Sequence, residues 1–361
     1  MPCCGSAFRV SSARVLAVIV NYNGGHYIEA ALASLVAQTL PPDVLVIDNA
    51  STDGSVARLR ARFPHVRIVE TGENRGVVVA NMVLEYRDYE YYYFFNPDAA
   101  GDAHMLEHLV AIMAAQPRLG ILGATLVEYD DPSKVQSFTQ FLDFEAFPDD
   151  RYEHASIEAL PHSPWVDSGY ACSAAALVDA RAFREAGGLD EAFFMFTDET
   201  DLAWRLRLRG WLIGVAPGVR VRHVGGASAI AGTSADAYET SLFRIYLRER
   251  NSLRMCIKCY ARPTLIAYLA VHIPMLMAEA LVLKLLGKGA IAKTYLHALR
   301  DVWKERARLR QQRAVIQRTR TVSEREVLRR LYPGSGKLRK LLRVGMPRIK
   351  DFSRAPHSSG G

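Results

Sequence analysis

Polar clusters with the makings of a chemical site follow apolar runs at four places in this sequence. Asn21-Tyr22-Asn23-Gly24-Gly25 comes directly after Val15–Val20. Open parallel sheets bind ligands beyond the carboxyl ends of their strands, and paired glycines let the backbone approach a phosphate. The same residues would also make an ordinary strand-to-helix turn. Asp48 ends the next apolar run, Val44–Ile47, and its carboxylate can accept hydrogen bonds from a base or ribose. Ser51 and Asp53, just beyond, suit turn and capping work better. Asn96-Pro97-Asp98-Ala99 follows the aromatic run Tyr91–Phe95. A carboxylate presented rigidly there suits a divalent cation that also binds substrate phosphates. An exposed turn aspartate is the competing reading.

In the fourth cluster Asp198, Glu199 and Asp201 lie just behind Phe193-Phe194-Met195-Phe196, at a helix start. Acids are favoured there by the helix dipole, and Asp201 is spaced to pair with Arg205, so part of the cluster is bracing. Thr197 or Asp198 fits the N-cap. A carboxylate beside an apolar wall is also the environment that tunes a general base. His223, shortly before Gly225-Gly226, completes the polar set. The dinucleotide, nucleophile-elbow, zincin and P-loop signatures do not occur. Cys256-Ile257-Lys258-Cys259 has C-x-x-C spacing without a second pair, so zinc or redox chemistry is not expected there.

The elements that must position these residues show in the periodicity. Apolar runs at Val15–Val20, Val44–Ile47, Val66–Val69, Tyr91–Phe95 and Ile121–Val127 alternate with helical spacing at Ile28–Val36 and Met105–Met113. That alternation predicts βαβ units and a mainly parallel sheet covered by helices on both sides. Residues 130–163 lose the rhythm and read as an irregular segment able to wall a cleft. A strand at Ala171–Val178, helices up to Ala186 and over Thr200–Arg209, and two short strands at Leu212–Val215 and Val219–Val224 follow. Tyr246–Ile257 is helical in pattern, and Thr264–Leu286 is long enough to span a bilayer. His272 and Glu279 would be costly in lipid unless paired, so an interfacial helix is preferred to a spanning one or a soluble subdomain.

Of the 361 residues, half are apolar and 23% charged, which excludes global disorder. Five cysteines are too few for a disulfide framework and imply reduced thiols in a cytosolic compartment; no ordinary signal peptide is expected. Charge is segregated. Residues 301–361 hold 17 Lys/Arg against 5 Asp/Glu, a net of +12, and the other 300 residues carry 28 against 33, a net of −5. Such a tail suits an anionic surface.

In order, "VIVNYNGG", "VIDNASTDGS", "ENRG", "FFNPDA", "GGLDEAFFMFTDETDLAWRLRLRGW", "RVRHVGG" and "RERN" resemble the inverting family 2 glycosyltransferases, rhamnosyltransferase-like branch. The resemblance implies an α/β GT-A fold with a mainly parallel central sheet and a C-terminal helical extension. It divides the chain into a flexible N-terminus at 1–13 and a catalytic domain at 14–260, with nucleotide-binding (14–129) and acceptor-binding (130–260) halves. A membrane-associating helical segment at 261–300 and the basic tail at 301–361 follow. It implies transfer of a sugar, rhamnose among the candidates, from a nucleotide-diphosphate donor to a hydroxyl of a cell-envelope or lipid-linked glycan. On this resemblance Asn21, Asn23, Asp48, Asn74, Asn81 and Asp98 bind the donor, and Asp98 with His223 holds Mg²⁺ or Mn²⁺. Phe194, Asp201 and Arg205 support the acceptor side. The base is Asp198 or Glu199: position points to Glu199, residue type to Asp198. The expected location is cytoplasmic, peripheral on the inner face of the plasma membrane, with a homodimer allowed and nucleic acid not expected as a partner. The alternatives are a nucleotidyltransferase or other nucleotide-sugar enzyme, and a nucleic-acid-binding or scaffold protein acting through its basic tail.

Overall fold

The computed structural model describes residues 13–150, 152–225, 233–234, 237–345 and 348–349. The expected flexible N-terminus, Ala13 apart, and the end of the basic tail lie outside the described residues. Its contacts divide the chain into two compact units. The first takes its described residues from 1–141, 149–229 and 320–330, the second from 142–148, 230–319 and 331–361.

The first unit is built on one twisted sheet. Its early strands are β1 (Val15–Asn21), β2 (Asp43–Asp48), β3 (Arg67–Glu70), β4 (Tyr91–Phe95), β5 (Ala99–Gly101), β6 (Leu119–Glu128) and β7 (Val135–Ser137). The spatial order is Val166–Asp167, Leu212–His223, β6, Ala175–Asp179, β4, β1, β2, β3, with β5 paired to Leu212–His223 and β7 to β6. β4–β1–β2–β3 are parallel, as are Leu212–His223 and β6, whereas Ala175–Asp179 runs antiparallel between β4 and β6. Strands covered on both faces are apolar throughout, which is why β6 is buried at every residue but Glu128.

Helix Tyr27–Val36 buries Ile28, Ala31, Leu32 and Leu35, and helix Met105–Ala115 buries Met105, Leu106, Leu109, Val110 and Met113. These stripes pack with Val15, Ala17, Ile19, Tyr93 and Phe95 in the main core. On the opposite face of β4, Tyr92 and Phe94 meet Phe183 of helix Ala180–Ala186 with ring centroids 5.7 and 5.5 Å apart. The two strands expected over 212–224 are one strand, Leu212–His223. Pro217-Gly218 does not break it, because a register shift between Ala216 and Arg220 absorbs the misfit and Thr125 Oγ1 donates to the Ala216 carbonyl at 3.0 Å.

The second unit is helical: Leu242–Cys259, Arg262–Leu285, Gly289–Lys304, Arg306–Arg318 and Gly336–Val344. Much of the basic tail is therefore folded helix, not extended chain. The polar residues of the apolar helix are paired: His272 Nδ1 lies 2.9 Å from Glu145 Oε1, and Lys337 Nζ lies 3.8 Å from Glu279 and 2.7 Å from Glu249. Burial works against the Lys337 charge, but Glu249 and Glu279 outweigh it and hold the ammonium well above the usual lysine value.

Ile19 sits fully buried mid-strand in the main core. Ile19→Ala should cost about 2–5 kcal/mol of stability, read as a lower urea midpoint at unchanged m-value.

Candidate active site

At the carboxyl end of β1 and β2 a hydrogen-bonded knot ties the two following loops together. Asn21 Nδ2 donates to Asp48 Oδ1 at 2.8 Å and also reaches Ser51 Oγ and Ser55 Oγ, each at 3.0 Å. Asp48 Oδ2 accepts the Ser51 N–H at 3.0 Å. Asn23 Oδ1 accepts the Thr52 N–H at 2.8 Å, and Asp53 Oδ2 accepts the Gly25 N–H at 2.8 Å. Gly24 is required because a Cβ would stand 2.6 Å from Asn21 Oδ1. Asn21, expected to bind the donor, is fully buried and its amide is tied to the two loops. Asp48, 2% exposed, has both oxygens engaged in the same way.

Across the sheet, β5 pairs antiparallel with the end of Leu212–His223, with His223 opposite Ala99. This register carries His223 beside the residue preceding Ala99. His223 Nε2 lies 3.3 Å from Asp98 Oδ1 and 3.1 Å from Asn96 Nδ2. Gln136 on β7, which the sequence reading missed, fixes the ring. Its Nε2 donates to the His223 carbonyl at 3.0 Å, so its Oε1 is left to accept from His223 Nδ1 at 2.6 Å. That assignment places the proton on Nδ1 and turns the Nε2 lone pair toward Asp98. An oxygen and an imidazole nitrogen side by side are a fitting donor pair for Mg²⁺ or Mn²⁺. Among the described residues no three His, Cys, Asp or Glu converge on one point, so such an ion would complete its shell with substrate oxygens and water.

The acidic helix Asp198–Leu208 enters through a strained loop: Phe194, Phe196 and Thr197 all have φ between +63° and +66°. Positive φ in non-glycine residues costs of order 1–3 kcal/mol each and persists only where the surroundings enforce it. Here the Phe194 carbonyl accepts the Val77 N–H at 2.8 Å, and a Cβ on Gly76 would stand 2.1 Å from that oxygen. Thr197 occupies the N-cap without a side-chain hydrogen bond, so its position is set by the loop and not by capping. Asp201 and Arg205 form a buried pair at 2.7 Å, and the guanidinium also donates to the Ala186 and Gly188 carbonyls. They brace the helix against the preceding turn. Asn81 does similar work. Asn81, expected at the donor, pairs both its amide atoms with the Leu189 backbone at 2.8 and 2.9 Å, and Asn74 Oδ1 accepts the Gly76 N–H at 3.0 Å.

Two carboxyls remain. Glu199 Oε2 accepts the Ser173 N–H at 2.7 Å. Burial raises Glu199 above the usual carboxylate value, against the hydrogen bonds from Ser173 and the pull of His223. Asp198 is pushed up to about 8 by burial first, then by Glu199 and Asp201. Burial also raises the Cys172 thiol well above its usual value, helped by the charges of Glu199, Asp198 and Asp98. All three acids therefore bear on the Cys172 thiol.

An α/β unit with its ligand loops at the strand ends, an Asp–His pair and an acid-headed helix is the GT-A arrangement of glycosyltransferases. Consistent with that fold, the chain is similar to the crystal structure of GalNAc-T7 with UDP, GalNAc and Mn²⁺ at a TM-score of 0.56 and 12% identity. The match covers 72% of this chain, which spans only half the length of that structure. The protein is a glycosyltransferase, and the glycosyl transferase family 2 model matches its residues 16–186. It is 29% identical over 233 residues to the N-acetylglucosaminyl-diphospho-decaprenol L-rhamnosyltransferase of Mycobacterium tuberculosis, in strains CDC 1551 / Oshkosh and ATCC 25618 / H37Rv; the match covers 57% of this chain and 74% of the relative.

Because Asp198 holds its proton more tightly folded than unfolded, its contribution is full below about pH 4 and is lost as pH rises through about 8. With EDTA present, Asp198→Asn should flatten that decline. The urea midpoint of the variant should improve relative to the parent between pH 5 and pH 8.

Proposed function

We propose that the protein is an inverting sugar transferase that uses a nucleotide-diphosphate donor, with L-rhamnose the favoured sugar and a diphospho-polyprenol-linked saccharide the favoured acceptor. The observation that carries the proposal is the juxtaposition of the Asp98–His223 pair with a carboxylate, Glu199, whose charge is felt by the same histidine. The sugar and acceptor rest on the relative's name.

In the reaction, the acceptor hydroxyl oxygen attacks the anomeric carbon from the face opposite the leaving group. The carbon–oxygen bond to the diphosphate breaks, and the nucleoside diphosphate departs with the electron pair. Glu199 receives the hydroxyl proton on Oε1, while Ser173 holds Oε2 and so fixes the direction of the carboxylate. Asp198, more deeply buried, stays protonated and keeps a second negative charge away from the base. Asp98 and His223 would hold Mg²⁺ or Mn²⁺, which offsets charge on the departing diphosphate. Gln136 keeps the His223 ring in the tautomer that suits this duty. Asn23 and Asp53 shape the loop that faces the nucleotide. Phe194 and its neighbours exclude water, so transfer outcompetes hydrolysis.

The apolar helix supports attachment to a membrane surface on the cytoplasmic side. Arg262–Leu285 is, among the described residues, one helix long and apolar enough to cross a membrane. Only Tyr268, His272, Leu276 and Ala280, one stripe at four-residue spacing, are buried. Ile266, Val271, Leu281, Val282 and Leu285 are exposed, the last at 77%. With one face held by Glu145 and Lys337, the helix suits lying in an interface, and basic residues near an anionic leaflet add about 1 kcal/mol each.

Glu199→Gln should lower turnover about 10²–10⁴-fold with the donor KM little changed, and Asp198→Asn should lower it less, as read by nucleoside diphosphate release. EDTA and Asp98→Asn should each abolish transfer while leaving circular dichroism intact. Near-normal turnover in Glu199→Gln would move the base elsewhere. For the membrane reading, Leu281→Glu with Leu285→Glu should shift the protein from the pellet to the supernatant of anionic vesicles. Unchanged sedimentation would remove that helix from the interface.

A further inference from the structure

Beyond this reaction, a second cleft lies in the first unit. It has a volume of about 620 Å³ and is lined by Ala100, Gly101, Asp102, Val127, Pro132, Ser133, Ile157, Arg220 and Arg222. The strand Leu212–His223 is buried on both faces at its start and alternates at its end. Val221 belongs to the main core and His223 shares its side of the strand, whereas Arg220 and Arg222 point the other way. The two arginines of the cleft therefore face away from the side of the strand that carries His223.

Arg220 and Arg222 are both exposed, and neither side chain has an ion-pair or hydrogen-bond partner among the described residues. Alternate residues on one strand face stand about 7 Å apart, close enough for two guanidinium forks to share one polyanionic group. The cross-strand neighbours of Arg222 are Val127 and Ala100, both short and apolar, so nothing beside it competes for its charge. Asp102 is the one acid in the lining against two arginines, so the lining carries one excess positive charge. Val127, Pro132 and Ile157 supply apolar wall beside the two cations.

We propose that this cleft binds a phosphate or diphosphate ester with an apolar organic part, at a site distinct from the donor site. Arginine pairs recognise planar or tetrahedral oxyanions by paired N–H donation, and the apolar wall selects the ester over the bare ion. The ligand comes either from lipid headgroups or from a free phosphorylated metabolite.

The test is isothermal titration of the full chain in EDTA, where Asp98 and its neighbouring acids repel anions instead of binding them through a cation. Hexyl phosphate and inorganic pyrophosphate are the probes. Hexyl phosphate should bind, and Arg220→Gln with Arg222→Gln should weaken it about tenfold or more, whereas Asp98→Asn should leave it unchanged. Should the double variant not fold, each single variant carries the same expectation in smaller measure. No binding by the parent, equal binding by the arginine variants, or loss in Asp98→Asn alone would overturn the proposal. Pyrophosphate binding as tightly as hexyl phosphate would overturn its apolar half. Sedimentation with phosphatidic acid vesicles separates the sources: weaker pelleting of the arginine variants assigns the site to lipid headgroups, and unchanged pelleting of variants that have lost hexyl phosphate binding assigns it to a soluble ester.

Discussion

Like charges crowded into a dry volume are the constraint on which the rest of this structure depends. Asp98, Asp198 and Glu199 all act on the Cys172 thiol, so they share one neighbourhood. Three carboxylates cannot all be ionised there without compensation. Each is handled differently. Asp98 faces the Nε2 lone pair of His223, an arrangement that a divalent cation between them would compensate, Glu199 has the Ser173 N–H, and Asp198 keeps its proton. The fold delivers these compensators from distant parts of the chain, which requires the strand that ends in His223 to pair with β5 in one register only. A one-residue slip would turn His223 to the far face and leave Asp98 with an arginine's backbone for company.

How much of this was legible in the sequence follows from the range of the interactions. The parallel strands of the sheet and the helices at Tyr27–Val36 and Met105–Ala115 could be read directly, because apolar spacing is a local signal: Ile28, Ala31, Leu32 and Leu35 name their own face. Asp98, His223 and the acids of the 198–201 cluster were visible as residue types at strand and helix ends. Gln136 and Ser173 were not, since a glutamine in an irregular stretch and a serine in a run of alanines carry no spacing signal. Their roles exist only through pairings 87 and 26 residues away. The backbone-tying bonds of Asn21 and Asn81 were hidden for a different reason. An asparagine beside a ligand loop and one that staples two backbone segments look alike in sequence.

The helical unit shows the same limit in terms of charge. A net of +12 over residues 301–361 reads as a tail that suits an anionic surface, yet that region forms helices in which some of the cations pair within the protein. Lys337 is enclosed by Glu249 and Glu279. Net charge sums over a segment and so hides which cations face partners within the protein. His272 and Glu279 were recognised as misfits in an apolar helix, and their partners, Glu145 and Lys337, explain how that helix tolerates them.

The left-handed loop at Phe194, Phe196 and Thr197 has a consequence for how this enzyme responds to selection in the laboratory. Glycine or asparagine at those positions would relieve backbone strain, so a screen that rewards heat tolerance alone would be drawn to them. Relief there also loosens the entry to the acidic helix and the aromatic wall beside it. Thermostabilised lineages should therefore accumulate changes at 194–197 only when catalysis goes unmonitored, and a screen scoring both properties should leave this loop untouched.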